Sequence, residues 1–163
     1  MSQIAIDKTK NSKGERFLSF SLGTEEYAIP LLTVKEVIAM PEITPLPHTP
    51  SHFLGIMNLR GQVISIVDLR IKLAIKPSNS VETAVIICDL GTLNLGVVVD
   101  SVNSVLSPKD NELSGKPAIQ STKNMDYVTG VYRKDKKLIL FLDVATSLDV
   151  KDYQILEQNK KVA

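Results

Sequence analysis

With 163 residues, 44% of them hydrophobic and 23% charged, the chain fits one small globular unit or two very small ones, and this composition excludes a wholly disordered protein. The 19 basic residues barely exceed the 18 acidic ones and tryptophan is absent, which argues against a nucleic-acid-binding protein. The sequence contains no apolar run long enough for membrane insertion, and its single cysteine, Cys88, excludes an internal disulfide and a cysteine-built zinc site.

Residues 1–15 form a mostly polar stretch without the apolar region that a secretory signal requires. They are predicted to be a flexible N-terminal tail, and the protein is expected in the cytoplasm. At the other end, residues 151–163 are predicted to be a tail or a short helix.

Between these ends, short apolar runs rich in β-branched residues recur between turn signals, and each is typical of a β-strand. In the first run, Leu18, Phe20 and Leu22 alternate with serines, which predicts one buried and one polar face. Helical periodicity is confined to Ala145–Leu148 and Tyr153–Glu157. The sequence therefore predicts an all-β fold with short helical segments and ten strands: Arg16–Leu22, Glu26–Ile29, Lys35–Met40, Gly55–Leu59, Gln62–Asp68, Thr83–Asp89, Leu93–Val99, Val102–Leu106, Tyr127–Tyr132 and Lys137–Asp143.

The chain also repeats itself, with an offset of 68 residues in the first part of each repeat and 75 in the second. The extra residues are assigned to an insertion within 107–125, and the repeats to residues 16–80 and 81–150. Two small barrels are predicted, and their mutual interface is expected to be the main core, with both repeat-related valines, 37 and 105, buried. The coinciding residues are turn glycines, strand residues and strand-end aspartates: Gly23 with Gly91, Val34 with Val102, Val37 with Val105, Gly55 with Gly130, and Asp68 with Asp143.

The residues that most often carry chemistry do not assemble into a catalytic or metal motif. His48 and His52 have a spacing that would suit a metal on a helix, but Pro50 between them opposes that helix, so both are interpreted as surface loop histidines. Asp68 and Asp143 occupy equivalent strand ends, which indicates turn or cap roles. No metal or cofactor is predicted, and the sequence favours a binding module over an enzyme.

The segment around Arg60 contains more recognisable sequence motifs than the rest of the chain. Arg60 lies beside Gly61 in a predicted turn between two apolar strands. An arginine held there can present its planar fork to a carboxylate or carbonyl of a partner.

These residues carry a resemblance. Asn58-Leu59-Arg60-Gly61 followed by Val67-Asp68-Leu69-Arg70 resembles the signature of the CheW family of chemotaxis coupling proteins. Tyr27–Pro30 leading into Val34–Ile38 fits the same pattern, as do Leu95–Val102 and Ile139–Asp143 in the second half. The resemblance covers about residues 16–150.

The resemblance implies two small five-stranded SH3-like β-barrels packed on each other, with exchange of strands between them left open. It also implies a non-enzymatic adaptor that bridges a CheA histidine kinase and the cytoplasmic tip of methyl-accepting chemoreceptors. Within the family, a type IV pilus signalling array is an alternative setting. Outside it, a small-ligand or oligonucleotide-binding barrel that shares only the strand pattern is the alternative.

The resemblance places a receptor-binding groove between the barrels, where a helical hairpin needs an apolar floor and polar rims. The residues expected near it are Val34, Glu36, Arg60 and Val102, and a plain core position is the alternative for the two valines.

A separate kinase-binding surface is expected in the first barrel, around Ile43, Leu46 and Phe53. Four prolines, at 41, 45, 47 and 50, pre-set the shape of this segment and lower its ordering cost on binding. The alternative is a rigid connector between two strands.

Overall fold

The computed structural model describes residues 14–76, 81–114 and 127–160, apart from the side chain of Lys134. These residues form eleven β-strands: β1 Phe17–Leu22, β2 Glu25–Pro30, β3 Val34–Ala39, β4 Phe53–Leu59, β5 Gln62–Asp68, β6 Ala84–Asp89, β7 Asn94–Val99, β8 Ser101–Leu106, β9 Leu113–Ser114, β10 Val128–Lys134 and β11 Lys137–Leu142. The described residues also form three α-helices, α1 Leu69–Lys72, α2 Val144–Ser147 and α3 Val150–Lys160, and two 3-10 helices, Leu31–Thr33 and Asp110–Glu112.

The strands form two sheets, and each sheet takes strands from both halves of the chain. The six-stranded sheet has the order β8-β1-β2-β11-β10-β9, and the five-stranded sheet has the order β3-β6-β7-β5-β4. Most neighbours are antiparallel, but β2 pairs with β11 and β5 pairs with β7 in parallel. These two parallel pairs join residues of the first half to residues of the second, so the halves exchange strands.

The predicted all-β architecture is confirmed, and the boundaries of all ten predicted strands lie within about two residues of the observed ones. The short strand β9 and the full length of α3 were not predicted, because two residues give no periodicity and the apolar side chains of α3 do not repeat regularly. Parts of the predicted N-terminal tail and of the insertion, residues 1–13 and 115–126, lie outside the described residues. Among the described helices, none is long and apolar enough to cross a membrane.

The hydrogen-bond register reproduces the sequence repeat. Val34 pairs with Cys88 in the five-stranded sheet, and its repeat equivalent Val102 pairs with Phe20 in the other. The register shifts at Gly55 between β4 and β5, and again at the equivalent Gly130 between β10 and β11. The two sheets are therefore quasi-equivalent, with five strands of the six-stranded sheet matched by strands 68 or 75 residues away in the other.

The turns that close the two leading hairpins are also equivalent. Gly23 and Gly91 both have positive φ, 62° and 97°, which a side chain with a Cβ adopts only with strain. The repeated Leu-Gly-Thr sequence is therefore a repeated turn geometry.

The largest hydrophobic cluster among the described residues lies between the two sheets. It combines Leu18, Phe20 and Ile29 from the six-stranded sheet with Ile86 and Val97 from the five-stranded sheet. Two smaller clusters belong mainly to one sheet each: the first contains residues of β4 to β7, and the second contains residues of β1, β2, β10 and β11. This is the arrangement expected of two small units that cannot each bury a large core and therefore pack on each other.

Two expectations about burial are wrong. Val37 is 1% exposed and belongs to the inter-sheet cluster, but its repeat equivalent Val105 is 41% exposed. The reason is that β8 is the edge strand of the six-stranded sheet, where neighbouring side chains cover Val105 from the β1 side alone. The Ser19 hydroxyl on β1 donates to the Ser104 carbonyl of β8 at 3.1 Å. That hydrogen bond explains why Ser19, expected on a polar face, is fully buried.

This difference gives a direct test. Val37→Ala is expected to lower the free energy of unfolding by about 1–3 kcal/mol, because it removes buried methyl groups and leaves a cavity. Val105→Ala, the matched change at the equivalent position, is expected to stay within about 0.5 kcal/mol of the parent chain because its side chain is largely exposed. Urea unfolding of both variants measures this, and similar losses in the two would contradict the assignment of Val37 to the core.

Candidate protein-interaction site

The β4–β5 hairpin ends in a two-residue loop, Arg60–Gly61. Both residues have positive φ, 51° and 87°, which suits the twist of a tight hairpin. The Gly61 amide donates a hydrogen bond of 2.8 Å to Oδ1 of Asn58, which fixes the loop from below. Arg60 is therefore held in a defined position, although its side chain is 60% exposed.

Arg60 points back onto β3, where it pairs with Glu36. Its Nη2 donates to Oε2 of Glu36 at 2.6 Å and to Oε1 at 2.9 Å, and Nη1 donates to Oε1 at 3.1 Å. Because Arg60 is mostly exposed, water screens the pair, and its contribution to stability is on the order of 1 kcal/mol or less. Its clearer effect is on geometry, because the three hydrogen bonds between the guanidinium and the carboxylate fix the orientation of both side chains.

The four residues expected near the receptor groove do not lie together. Glu36 and Arg60 are in contact, but Val34 is 0% exposed and lies in the inter-sheet cluster. Val102 is half-buried and packs against the same cluster from β8. A fully buried side chain offers no surface to a partner, so the position of Val34 fits the core alternative.

The proline-rich segment between β3 and β4 lies along the free edge of the five-stranded sheet. Thr44 exchanges two backbone hydrogen bonds with Ile56 of β4, at 2.8 and 2.9 Å. Ile43 and Leu46 flank Thr44, and both side chains are half-buried, whereas Phe53 is 6% exposed and belongs to the inter-sheet core. The segment thus presents Ile43 and Leu46, but not Phe53, at the surface.

The approach of this segment to β4 depends on Gly55. Its φ is 144°, and a Cβ built on Gly55 would overlap the carbonyl oxygen of Thr44. A side chain at position 55 would therefore push the proline-rich segment away from the sheet edge.

Arg60 and the proline-rich segment occupy separate parts of one hairpin. Thr44 pairs with Ile56, and Arg60 lies four residues further along at the hairpin tip. At about 3.3 Å per strand residue, the two surfaces are separated by roughly 13 Å.

A buried ion cluster was not foreseen from the sequence. Arg70 donates from Nη2 to Oδ2 of Asp68 at 2.8 Å and from Nη1 to Oδ1 of Asp100 at 2.6 Å. The side chains of Asp68, Arg70 and Asp100 are only 7%, 12% and 3% exposed, and the other oxygen of Asp100 accepts from the Gly23 amide. The hydrogen bonds to Asp68 and Asp100 raise the pKa of Arg70, so the guanidinium is permanently charged.

The predicted capping roles of Asp68 and Asp143 are confirmed. Oδ1 of Asp68 accepts from the Arg70 amide at 2.9 Å at the start of α1, and Oδ1 of Asp143 accepts from the Ala145 amide at 3.1 Å at the start of α2. Asp68 also pairs with the Arg70 side chain, so its role is wider than capping.

The interpretation of His52 as a surface loop residue is wrong. Its Nε2 lies 2.7 Å from Oδ1 of Asp152, which is 1% exposed, and Lys72 Nζ donates to the other oxygen of Asp152 at 2.7 Å. Lys72 also pairs with Asp149 at 3.2 Å, so the cluster fastens α3 to α1 and to the start of β4. The charges of Asp152 and Lys72 are buried because they satisfy each other.

The remaining candidates for chemistry are structural. Among the described residues, no group of three His, Cys, Asp or Glu side chains lies close enough to hold a metal ion. Cys88 is buried as expected, and desolvation raises the pKa of its thiol to about 12, which leaves it unreactive.

A cleft opens between the two sheets where β2, the end of β11 and α2 meet. Most of the groups that line it are apolar, and two aspartates lie among them: Ile29, Pro30, Thr33, Cys88, Asp89, Leu90, Thr129, Leu142, Asp143, Val144 and Ala145. The cleft has the apolar floor and polar rim that a helical partner requires.

Comparisons with known proteins agree with this architecture. A family model, the CheW-like domain, matches residues 16–151. The chemotaxis protein CheW of Klebsiella aerogenes is 32% identical over 149 residues, which cover 91% of this chain and 90% of that protein. The chemotaxis protein CheW of Bacillus subtilis is 27% identical over 144 residues, which cover 86% of this chain and 91% of that protein.

A solved structure shows the same similarity in three dimensions. The crystal structure of the scaffolding protein TtCheW from Thermoanaerobacter tengcongensis matches with a TM-score of 0.76 at 29% identity, and the match covers 84% of this chain and 94% of that chain. The family model spans both sheets and the two surfaces described above. The chain belongs to the CheW-like domain family.

Proposed function

We propose that this protein is a non-enzymatic adaptor of a chemotaxis array, which couples methyl-accepting chemoreceptors to a CheA-type histidine kinase at the cytoplasmic face of the membrane. The match to the CheW-like domain across residues 16–151 carries the proposal. It is supported by the names of the relatives, which are chemotaxis and scaffolding proteins. An adaptor must hold two partners at once, and the chain has two separate, partly exposed surfaces along the β4–β5 hairpin.

The receptor is proposed to contact Glu36 and Arg60 together with the inter-sheet cleft. The ion pair supplies an oriented charged group outside the cleft, and the cleft supplies apolar area for a helical hairpin. Val102, half-buried on β8, contributes at the margin of the inter-sheet core, whereas Val34 acts only through packing.

The kinase is proposed to contact Ile43 and Leu46 at the edge of the five-stranded sheet. The prolines and the two hydrogen bonds between Thr44 and Ile56 hold this segment in place before binding, so little conformational entropy is lost on association. Phe53 supports the segment from the core.

Two charge-altering variants test this assignment. Glu36→Lys places two cations together at the hairpin tip, and we expect it to weaken binding of a receptor fragment at least tenfold while binding of the kinase is retained. Leu46→Asp places a charge on the apolar segment and should weaken kinase binding at least tenfold while sparing the receptor. Isothermal titration calorimetry with each partner measures both effects.

The controls are matched in chemistry. Glu157→Lys reverses an exposed charge on α3, and Leu138→Asp charges a leucine on β11 that is 54% exposed. Neither control should change binding. In a reconstituted mixture of receptor, kinase and adaptor, each test variant should lose receptor control of kinase activity, and full control retained by both would refute simultaneous bridging.

A further inference from the structure

The quasi-equivalence of the two sheets implies that the inter-sheet cleft has a counterpart on the other side of the core. Adding 75 residues maps α1 onto α2, and subtracting 68 maps β6 and β7 onto β1 and β2. Two backbone hydrogen bonds confirm the correspondence. The Asp68 amide donates to the His52 carbonyl, and the Asp143 amide donates to the carbonyl of Tyr127, the repeat equivalent of His52. The residues that line the open cleft therefore each have a counterpart that would line a second one.

Two positions of the counterpart cleft carry much larger side chains than their equivalents on the open side. Ala145, at the mouth of the open cleft, corresponds to Arg70, and Cys88, in its wall, corresponds to Phe20. Phe20 is fully buried, and the Arg70 guanidinium crosses the equivalent mouth to reach Asp100 at 2.6 Å. Asp100 in turn accepts from the Gly23 amide, so the seal is tied to the β1–β2 turn.

The open side lacks the arginine and the second carboxylate of this seal, although Asp143 stands in the place of Asp68 and Gly91 in that of Gly23. The residue equivalent to Asp100 is Leu32, which is 63% exposed beside the cleft, and alanine stands where the arginine would be. The described residues that line the cleft include two carboxylates, Asp89 and Asp143, and no basic side chain. An apolar floor with an acidic rim complements an amphipathic helix that carries lysine or arginine.

We propose that Arg70 closes one of two quasi-equivalent inter-sheet clefts, so that the receptor hairpin enters only the cleft at Ala145 and each adaptor binds one hairpin. This inference rests on the proposed function for the identity of the occupant. Arg70 acts here as a specificity-determining residue that needs no contact with the partner. Because the Arg70 guanidinium is charged and bonded to Asp68 and Asp100, it stays across the entrance of the second cleft.

The first experiment maps the occupied cleft on the full-length chain. A fragment with the helical hairpin tip of a chemoreceptor from the same organism is titrated into protein with labelled methyl groups. We expect shifts at Leu90, Leu142 and Val144 of the open side. The repeat equivalents Leu22, Val67 and Leu69 serve as the internal reference and should not shift, and equal shifts in both sets would overturn the inference.

The second experiment transplants the seal. The double variant Ala145→Arg/Leu32→Asp gives the open side the two residues that close the other side, with Asp143 already in the place of Asp68. We expect at least a tenfold loss of receptor-fragment affinity, with kinase binding unchanged as the sign of an intact fold. A variant that binds both partners like the parent chain would refute the inference. If the parent chain binds no receptor fragment at all, the proposed function fails instead, and the methyl map of the parent chain separates the two results.

Discussion

Asp100→Ala is expected to lower the free energy of unfolding by about 1–3 kcal/mol, because the Arg70 guanidinium loses one of its two carboxylate partners and keeps Asp68. The same change removes the acceptor of the Gly23 amide in the β1–β2 turn. Chemical denaturation followed by circular dichroism measures the loss. Asp110→Ala removes an exposed aspartate from the chain and serves as the control, with an expected change within about 0.5 kcal/mol.

The charge balance can be separated from the loss of packing by a second variant. Arg70→Met/Asp100→Leu removes the buried cation together with one carboxylate, and Asp68 keeps its hydrogen bond from the backbone amide at position 70. We expect this double variant to be less stable than Asp100→Ala, because it leaves the buried Asp68 carboxylate without a cation, whereas Asp100→Ala keeps the Arg70–Asp68 pair. A double variant as stable as the single one, or more stable, would contradict the role of Arg70 as the counter-charge of Asp68.

Gly55→Ala is expected to cost about 2–4 kcal/mol and to release the proline-rich segment from β4. The residue has a φ of 144°, and an added methyl group would overlap the Thr44 carbonyl. The two hydrogen bonds between Thr44 and Ile56 should then break, and the amides of both residues should exchange with solvent faster. Because Ile43 and Leu46 lie on the same segment, kinase affinity should fall as well.

Gly61→Ala provides the matched control for that variant. Gly61 also has positive φ, 87°, but no atom lies within 4 Å of a Cβ added there. The backbone strain alone should cost about 1 kcal/mol. Equal losses for the two glycine variants would contradict the close approach of Thr44 as the cause.

The local parts of the fold were predictable because their signals are local. Alternating apolar residues marked β1, and the repeated Leu-Gly-Thr sequence marked two turns that both need a positive φ. The aspartates at 68 and 143 were assigned to turns or caps because they occupy equivalent strand ends in the repeat, and each caps a short helix. In each case, the partners lie within a few residues of each other, so the sequence contains the whole interaction.

The missed features join residues that are distant in the chain. Arg70 and Asp100 are 30 residues apart, and His52 and Asp152 are 100 apart. Glu36 and Arg60 were each chosen as candidates, but their pairing was not, because it depends on how the hairpin tip folds over β3. Such contacts follow from the order of strands in a sheet, which periodicity does not reveal. The error at Val105 has the same origin. The repeat predicts that Val105 is equivalent to Val37 in its strand, but it does not predict which side chains pack over each of them.

The parallel pairing of β2 with β11 has a consequence for synthesis on the ribosome. Glu26 pairs with Ile139, which is added 113 residues later, and translation at about 5–20 residues per second makes that delay roughly 6–23 s. During this interval one edge of β2 has no permanent neighbour, and unpaired edges invite association with other nascent chains. Folding of the first half must therefore wait for the last strand, so this small protein folds after translation rather than during it.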